Sequence, residues 1–195
     1  MRVSKLERKT EETKIVVELN LDGTGRYEIQ TGIGFFDHML VQIATHGLFD
    51  LVVRSSGDLD VDPHHTVEDC ALVLGAAFQQ ALGEKRGIQR TASATVPMDE
   101  ALGQVIVDFS GRSYAVINTT WSSPMVGGLP TTLLEHFFES FSSGCACNLH
   151  VIAHYGRDNH HIAESLFKAF SRALAEASQI DPRRKENIPS SKGVL

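Results

Sequence analysis

Two adjacent histidines followed by a glutamate, with an aspartate just before them, occur twice in this chain. The copies are Asp62-Pro63-His64-His65-Thr66-Val67-Glu68 and Asp158-Asn159-His160-His161-Ile162-Ala163-Glu164, the second lying 96 residues beyond the first. A further acid-histidine pair also repeats, Asp37-His38 and Glu135-His136, at a separation of 98 residues. Imidazoles and carboxylates at helical spacing are the donor set of a divalent metal site. Surface histidines have no reason to duplicate together with a capping acid and a glutamate.

Successive helical residues point about 100° apart. His64 and His65 therefore diverge, while Glu68 can share a face with either. The repeated positions are His38, His64, His65, Glu68, His136, His160, His161 and Glu164, six imidazoles and two carboxylates. Divided by the repeat, they make two sites of three histidines and one glutamate, each with room for water or substrate. Such open shells suit catalysis by Zn, Mn, Fe, Co or Ni, and ligand type alone does not choose among these metals. One helix feeding two sites implies ligands too far apart for a single chain, so metal and oligomer are expected to form together. His46, His150 and His154 taken singly read as ordinary solvated or satisfied histidines.

The elements that carry these groups follow from periodicity. Thr13 to Asn20 alternates as a strand, and Asp22-Gly23-Thr24-Gly25 is a turn from which Arg26 to Gln30 is expected to return as its hairpin partner. Phe36, Leu40, Ile43 and Gly47 mark a helix, Leu48 to Ser56 a strand, and Asp58 to Val61 an extension or partner of it. Asp62 reads as an N-cap and Pro63 as the first residue of a helix running to about Leu82, with Val67, Ala71, Leu74, Phe78 and Leu82 as its core stripe. The second half repeats the order. Strands are expected over Thr91 to Pro97, Ala101 to Phe109 and Tyr114 to Trp121, followed by a loose segment at 122–130. A helix from Thr131 or Thr132, a strand from Asn148 to Tyr155 and a helix capped by Asp158 complete it. Each half thus reads as a small, mostly antiparallel sheet with two helices on one face, an α+β duplication with boundaries at 1–88 and 89–180 and a polar tail at 181–195.

Composition narrows the function class. The chain has 195 residues, a net charge of −6 and a pI near 5.8, a balance that argues against non-specific nucleic-acid binding. No apolar run reaches the roughly 18–20 residues of a membrane span. The N-terminus lacks the apolar stretch of a secretion signal. Cys70, Cys145 and Cys147 form no disulfide framework and read as buried small hydrophobes in a reducing cytoplasm.

With these motifs in place, the chain resembles the imidazoleglycerol-phosphate dehydratases in their single-function form. The resemblance rests on Phe36-Asp37-His38-Met39-Leu40, Thr45-His46-Gly47-Leu48-Phe49-Asp50, His64-His65-Thr66-Val67-Glu68-Asp69, Asp99-Glu100-Ala101-Leu102 and Ser110-Gly111-Arg112. It continues through Leu134-Glu135-His136-Phe137-Phe138, His160-His161-Ile162-Ala163-Glu164 and Pro189-Ser190-Ser191-Lys192-Gly193-Val194-Leu195.

The resemblance implies half-domains of the ribosomal-S5-domain-2-like kind, a 24-subunit homo-oligomer and two Mn2+ ions per active site between subunits. It implies a phosphorylated imidazole as substrate, dehydrated from imidazole-glycerol phosphate to imidazole-acetol phosphate through metal-stabilised imidazolate and diazafulvene chemistry. It further implies Glu12 as the base that moves the C–H proton, with His46 as a catalytic and substrate-contacting position. Gln42, Arg90, Arg112, Lys168, Ser190, Ser191 and Lys192 match its other substrate contacts. On residue type alone, Glu12 is a solvated acid, and Lys168 and Lys192 are surface charges. Two other classes fit the histidines, a dinuclear phosphate-ester hydrolase and a metal store. A hydrolase wants a carboxylate bridging both ions, and a store has no use for the arginines and the Ser-Ser-Lys tail.

Overall fold

The structure, a computed structural model, describes residues 1–184 and 187–195; residues 185 and 186 of the expected tail lie outside the described residues. β1 (Val3–Lys9) and β2 (Thr13–Asn20) form an antiparallel hairpin. β3 (Tyr27–Gln30), α1 (Gly34–Gly47), β4 (Asp50–Gly57) and α2 (His64–Leu82) follow. The second half runs β5 (Thr91–Met98), β6 (Ala101–Asp108), β7 (Tyr114–Asn118), a two-residue ladder of β8 (Met125–Val126) with β9 (Leu129–Pro130), α3 (Thr131–Cys145), β10 (Asn148–Tyr155) and α4 (Asn159–Ser178).

The two sheets have one topology, β1-β2-β4-β3 and β5-β6-β10-β7. Both are antiparallel except at one edge, where β3 lies parallel to β4 and β7 parallel to β10. A parallel pair needs a crossover, and α1 and α3 supply it. Arg26 to Gln30 therefore does not return beside Thr13 to Asn20 as a hairpin. β2 is already flanked by β1 and β4, and the 22–26 turn is built on Asp50, whose Oδ1 accepts the Thr24 N–H at 2.8 Å and the Arg26 N–H at 3.1 Å. Gly23 lies so close to Asp50 that a Cβ there would collide with its backbone nitrogen.

The segment after β4 is a turn rather than an extension of the strand. β7 stops at Asn118, three residues short of Trp121, because Thr119 Oγ1 and Trp121 Nε1 turn inward and both donate to Glu135 Oε1, the latter at 2.8 Å.

α2 begins at His64, with Pro63 as its cap residue instead of its first helical one, yet the Asp62 carboxylate still accepts the His64 N–H. Asp158 Oδ1 does the same for His160 N–H at 2.7 Å at the start of α4. Both copies of the motif thus open a helix under an acid, which satisfies an orphan N–H and favours the positive end of the helix.

The helices of one half pack on those of the other, α2 on α3 and α1 on α4, with a sheet outside each pair. Phe36, Phe78, Phe137, Phe138, Phe141, Phe167 and Phe170 fill this shared core, each 2% exposed or less. Their rings meet mainly edge to face, as in Phe36–Phe137 at 5.7 Å and Phe141–Phe170 at 4.9 Å. Truncating one such ring costs about 3–5 kcal/mol, so this packing decides how the halves, and the histidines on them, face each other.

Candidate active site

The packing of α1 on α4 and of α2 on α3 assembles two clusters, each crossing between halves. His38 of α1 meets His160 and Glu164 of α4, with His38 Nε2 3.1 Å and His160 Nε2 3.2 Å from Glu164 Oε2. His136 of α3 meets His64 and Glu68 of α2, with His64 Nε2 3.6 Å from Glu68 Oε2 and His136 Nε2 3.8 Å from Glu68 Oε1. In each cluster one ligand atom per residue lies within 4.8 Å of the others.

Donors about 2.0–2.2 Å from a shared ion lie roughly 3–3.5 Å apart, so both triads fit a divalent metal. His136 Nε2 sharpens the fit. It is buried without a hydrogen-bond partner among the described residues, although Nδ1 of the same ring faces Glu139 Oε2 at 3.4 Å. A buried polar atom left unpaired costs about 1–3 kcal/mol, and a cation held by His136, His64 and Glu68 removes that cost.

Charge is concentrated at the first cluster. Burial pushes the Glu164 carboxyl up, but the Lys168 ammonium at 2.6 Å, with His38 and His160, outweighs it and holds the pKa down to about 2. Burial, with the charges of Lys168 and Arg172, lowers the pKa of His46, two turns beyond His38 on α1. Gln42 lies between them and packs its amide on His38, 3.4 Å from Nδ1. Phe35, which carries no signal in the sequence, lays its ring edge on His160 at 5.3 Å.

The second histidine of each motif turns away from both clusters. His65 Nδ1 faces Asp58 Oδ2 at 3.1 Å while its Nε2 lies 3.8 Å from Glu12 Oε1. His161 Nδ1 bonds Glu100 Oε2 at 2.7 Å. These carboxylates raise both imidazole pKa values. Asp58 and Glu139 carry no mark in the sequence, since acids in turns or on exposed helix faces show no periodicity, and Glu100 entered only within the Asp99-Glu100-Ala101-Leu102 motif, with no role of its own.

The remaining expected contacts gather elsewhere. Arg90, in the left-handed region with φ 77°, is held by its N–H to Ala177 O. Its guanidinium forks onto Asp108 at 2.7 and 3.1 Å and donates to Pro189 O at 2.8 Å, tying the Ser190-Ser191-Lys192 tail to the second sheet. The chain end rests on the Ser110-Gly111-Arg112 turn, where a Cβ on Gly111 would come within 2.7 Å of Leu195. Lys168 is not part of this group. Its Nζ touches Met98 Sδ at 3.5 Å, and along α4 it stands nine residues, roughly 15 Å, from Ala177, whose O holds Arg90.

His154 lies apart, paired with Gln104 Oε1 at 2.9 Å on the outer sheet face. The three cysteines are free and buried, and burial pushes the Cys70 thiol up to about 12. No helix among the described residues is long and apolar enough to cross a membrane.

Comparison with known proteins gives one answer. The sequence model of the family described as imidazoleglycerol-phosphate dehydratase matches residues 31–174. The imidazoleglycerol-phosphate dehydratase of Zymomonas mobilis is 54% identical over 194 residues, covering 100% of this chain and 99% of the relative. That of Thermobifida fusca is 55% identical, with 100% and 99% covered. Among solved structures, the enzyme of Pyrococcus furiosus superposes with a TM-score of 0.85 at 33% identity, over 97% of this chain and 100% of that one. The Staphylococcus aureus enzyme gives 0.83 at 32% identity, over 92% and 99%. With its duplicated sheets and its repeated His-His-x-x-Glu helix starts, this chain belongs to the imidazoleglycerol-phosphate dehydratase family.

Proposed function

We propose that the protein is a lyase of histidine biosynthesis that removes water from D-erythro-imidazole-glycerol phosphate to give imidazole-acetol phosphate. It works in the cytoplasm with two Mn2+ ions per active site, at sites built between subunits of a homo-oligomer of about 24 chains. The observation that carries this reading is a matched count. Each cluster within one chain holds two imidazoles and a carboxylate, one imidazole short of three histidines and a glutamate. His65 and His161 are the two imidazoles left over, each partly exposed and set against acids outside both clusters. A neighbouring copy can complete each shell with one of them.

The separation of Lys168 from Arg90 supports the same arrangement, since one phosphate does not bridge the roughly 15 Å between them along α4. The phosphate group of contacts (Arg90, Arg112, Ser190, Ser191 and Lys192) therefore serves a metal cluster of another copy. Arg90 commits three of its N–H groups to Asp108 and Pro189 and keeps others for an anion. At the cluster end, Gln42, His46 and Lys168 line the approach to His38 and Glu164. Held by His38, His160 and Glu164 and by His64, Glu68 and His136, Mn2+ would supply Lewis-acid polarisation of the substrate imidazole, the acidifying influence that a carbon with no carbonyl beside it lacks. Glu12, a half-exposed carboxylate next to His65 Nε2, moves that proton. Neither Glu68 nor Glu164 is shared between the two clusters, so a hydrolase with a carboxylate-bridged metal pair is not favoured.

Turnover decides the matter. Metal-free protein supplied with Mn(II) should convert imidazole-glycerol phosphate to the acetol phosphate, and no product with any divalent metal would sink this reading.

A further inference from the structure

We infer that Glu100 is a positioning residue for His161, fixing the imidazole proton on Nδ1 so that Nε2 is the atom offered to the metal. Asp58 does the same for His65. The inference rests on the metal reading above and extends it to two acids that touch neither cluster.

Glu100 ends the turn between β5 and β6, where Asp99 takes a left-handed φ of 44°. This geometry aims the Glu100 side chain at the entry to α4. Its Oε1 accepts the backbone N–H of Arg157 at 3.0 Å and of Asp158 at 2.8 Å, and its Oε2 accepts from His161 Nδ1 at 2.7 Å. An ionised carboxylate has no proton to give, so the proton in the last contact belongs to the ring. Neutral imidazole carries one proton, and with Nδ1 occupied the free lone pair is on Nε2. Asp99 Oδ2 stands 3.8 Å from that Nε2, on the side where a cation would sit. His65 repeats the pattern with Asp58 on Nδ1 at 3.1 and 3.3 Å and Glu12 on the Nε2 side.

The halves reach this arrangement differently. Glu12 and Glu100 occupy equivalent places, each the residue just before the second strand of its hairpin. Glu100 is locked by three donors, whereas Glu12 accepts none of these and stands half exposed beside its histidine. In the first half Asp58 has taken over the orienting task, which leaves Glu12 free to move a proton. The duplication thus supplied two acids at one place in the fold, and only one of them is available for chemistry.

Glu100→Gln is the discriminating variant. The amide oxygen must stay on the two backbone N–H groups, which turns the NH2 toward His161 Nδ1. That donor requires an unprotonated Nδ1 and drives the proton to Nε2, the ligating atom. The expected result is a melting temperature near that of the parent with Mn(II) affinity, read by chelator competition and elemental analysis, lowered about 10–100-fold. Glu100→Asp, which keeps a carboxylate one methylene short, should fall between. If Glu100 merely tethers the turn to α4, Glu100→Gln will hold Mn(II) like the parent, and that outcome overturns the inference. Should Glu100→Gln fail to fold, Asp58→Asn reads the same effect at His65, and unchanged affinity there would likewise overturn it. A parent protein that takes up no divalent ion would instead sink the metal reading, and the inference with it.

Discussion

His38 and Glu164 are 126 positions apart in the chain, yet His38 Nε2 lies 3.1 Å from Glu164 Oε2 across the seam between α1 and α4. The second cluster crosses the other way, with His136 of the second half over Glu68 of the first. Each candidate metal cluster therefore draws on both copies of the duplication, and neither half holds a complete triad. His38→Ala should cut the metal content per chain to roughly half at limiting Mn(II), because it disables one shell and leaves His64, Glu68 and His136 intact. Full metal content in that variant, by elemental analysis, would remove His38 from the shell.

His65 makes the link to assembly testable. It is partly exposed and touches Asp58 and Glu12 rather than either cluster. If a neighbouring copy uses it, His65→Ala should lower metal content and particle size together. Light scattering that finds a full-sized, metal-poor particle would separate the two and refute the coupling.

The Glu164 carboxyl gives a pH dependence of known sign. Its pKa falls from an ordinary 4.5 to about 2, with the Lys168 ammonium and the two histidines overcoming burial. A depressed carboxylate stabilises the fold above its unfolded value and loses that contribution as pH drops from 4.5 towards 2. Metal-free protein should therefore lose on the order of 2 kcal/mol across that window through this group. Glu164→Gln should show a shallower fall in chemical-denaturation midpoint over the same range, and an equal slope would clear Glu164 of the effect.

Much of this was legible before the structure. The starts of α2 and α4 announce themselves through Asp62 and Asp158, and their buried stripes through helical spacing. β1 was not legible, because its Lys5, Glu7, Arg8 and Lys9 are the charges of an edge strand and mask the alternation of Ser4 and Leu6. The pairing of β3 was misread because it depends on Asp50, more than twenty residues downstream of the turn it organises. Adjacency on a helix is enough to send His64 and His65 apart, but the crossing of His38 to the α4 cluster and of His136 to the α2 cluster is set by helix packing, which local spacing does not encode.

That packing rests on two glycines. A Cβ on Gly75 would strike the backbone of Phe141 and Cys145, and one on Gly144 would strike Leu72 O, so α2 and α3 touch nearly backbone to backbone. Gly75→Ala should destabilise the protein by about 1–3 kcal/mol through overpacking, despite the better helix propensity of alanine. Because the α2–α3 spacing sets the His64–His136 stack at 4.7 Å, the same variant should also weaken Mn(II) binding. An unchanged melting temperature would show slack in this contact.

Glu12 and Lys192 separate chemistry from binding. Among the described residues no donor locks the Glu12 carboxylate, which stands half exposed 3.8 Å from His65 Nε2. Glu12→Gln keeps the shape and removes the basic oxygen, so kcat should fall about 10²–10⁴-fold with KM little changed. Lys192 is exposed on the tail that Arg90 fastens through Pro189 O. Lys192→Ala should raise KM chiefly, by removing a phosphate contact made in ground and transition state alike. Steady-state kinetics on the two variants reads both at once. A kcat loss in Lys192→Ala, or a pure KM effect in Glu12→Gln, would exchange the roles assigned to them.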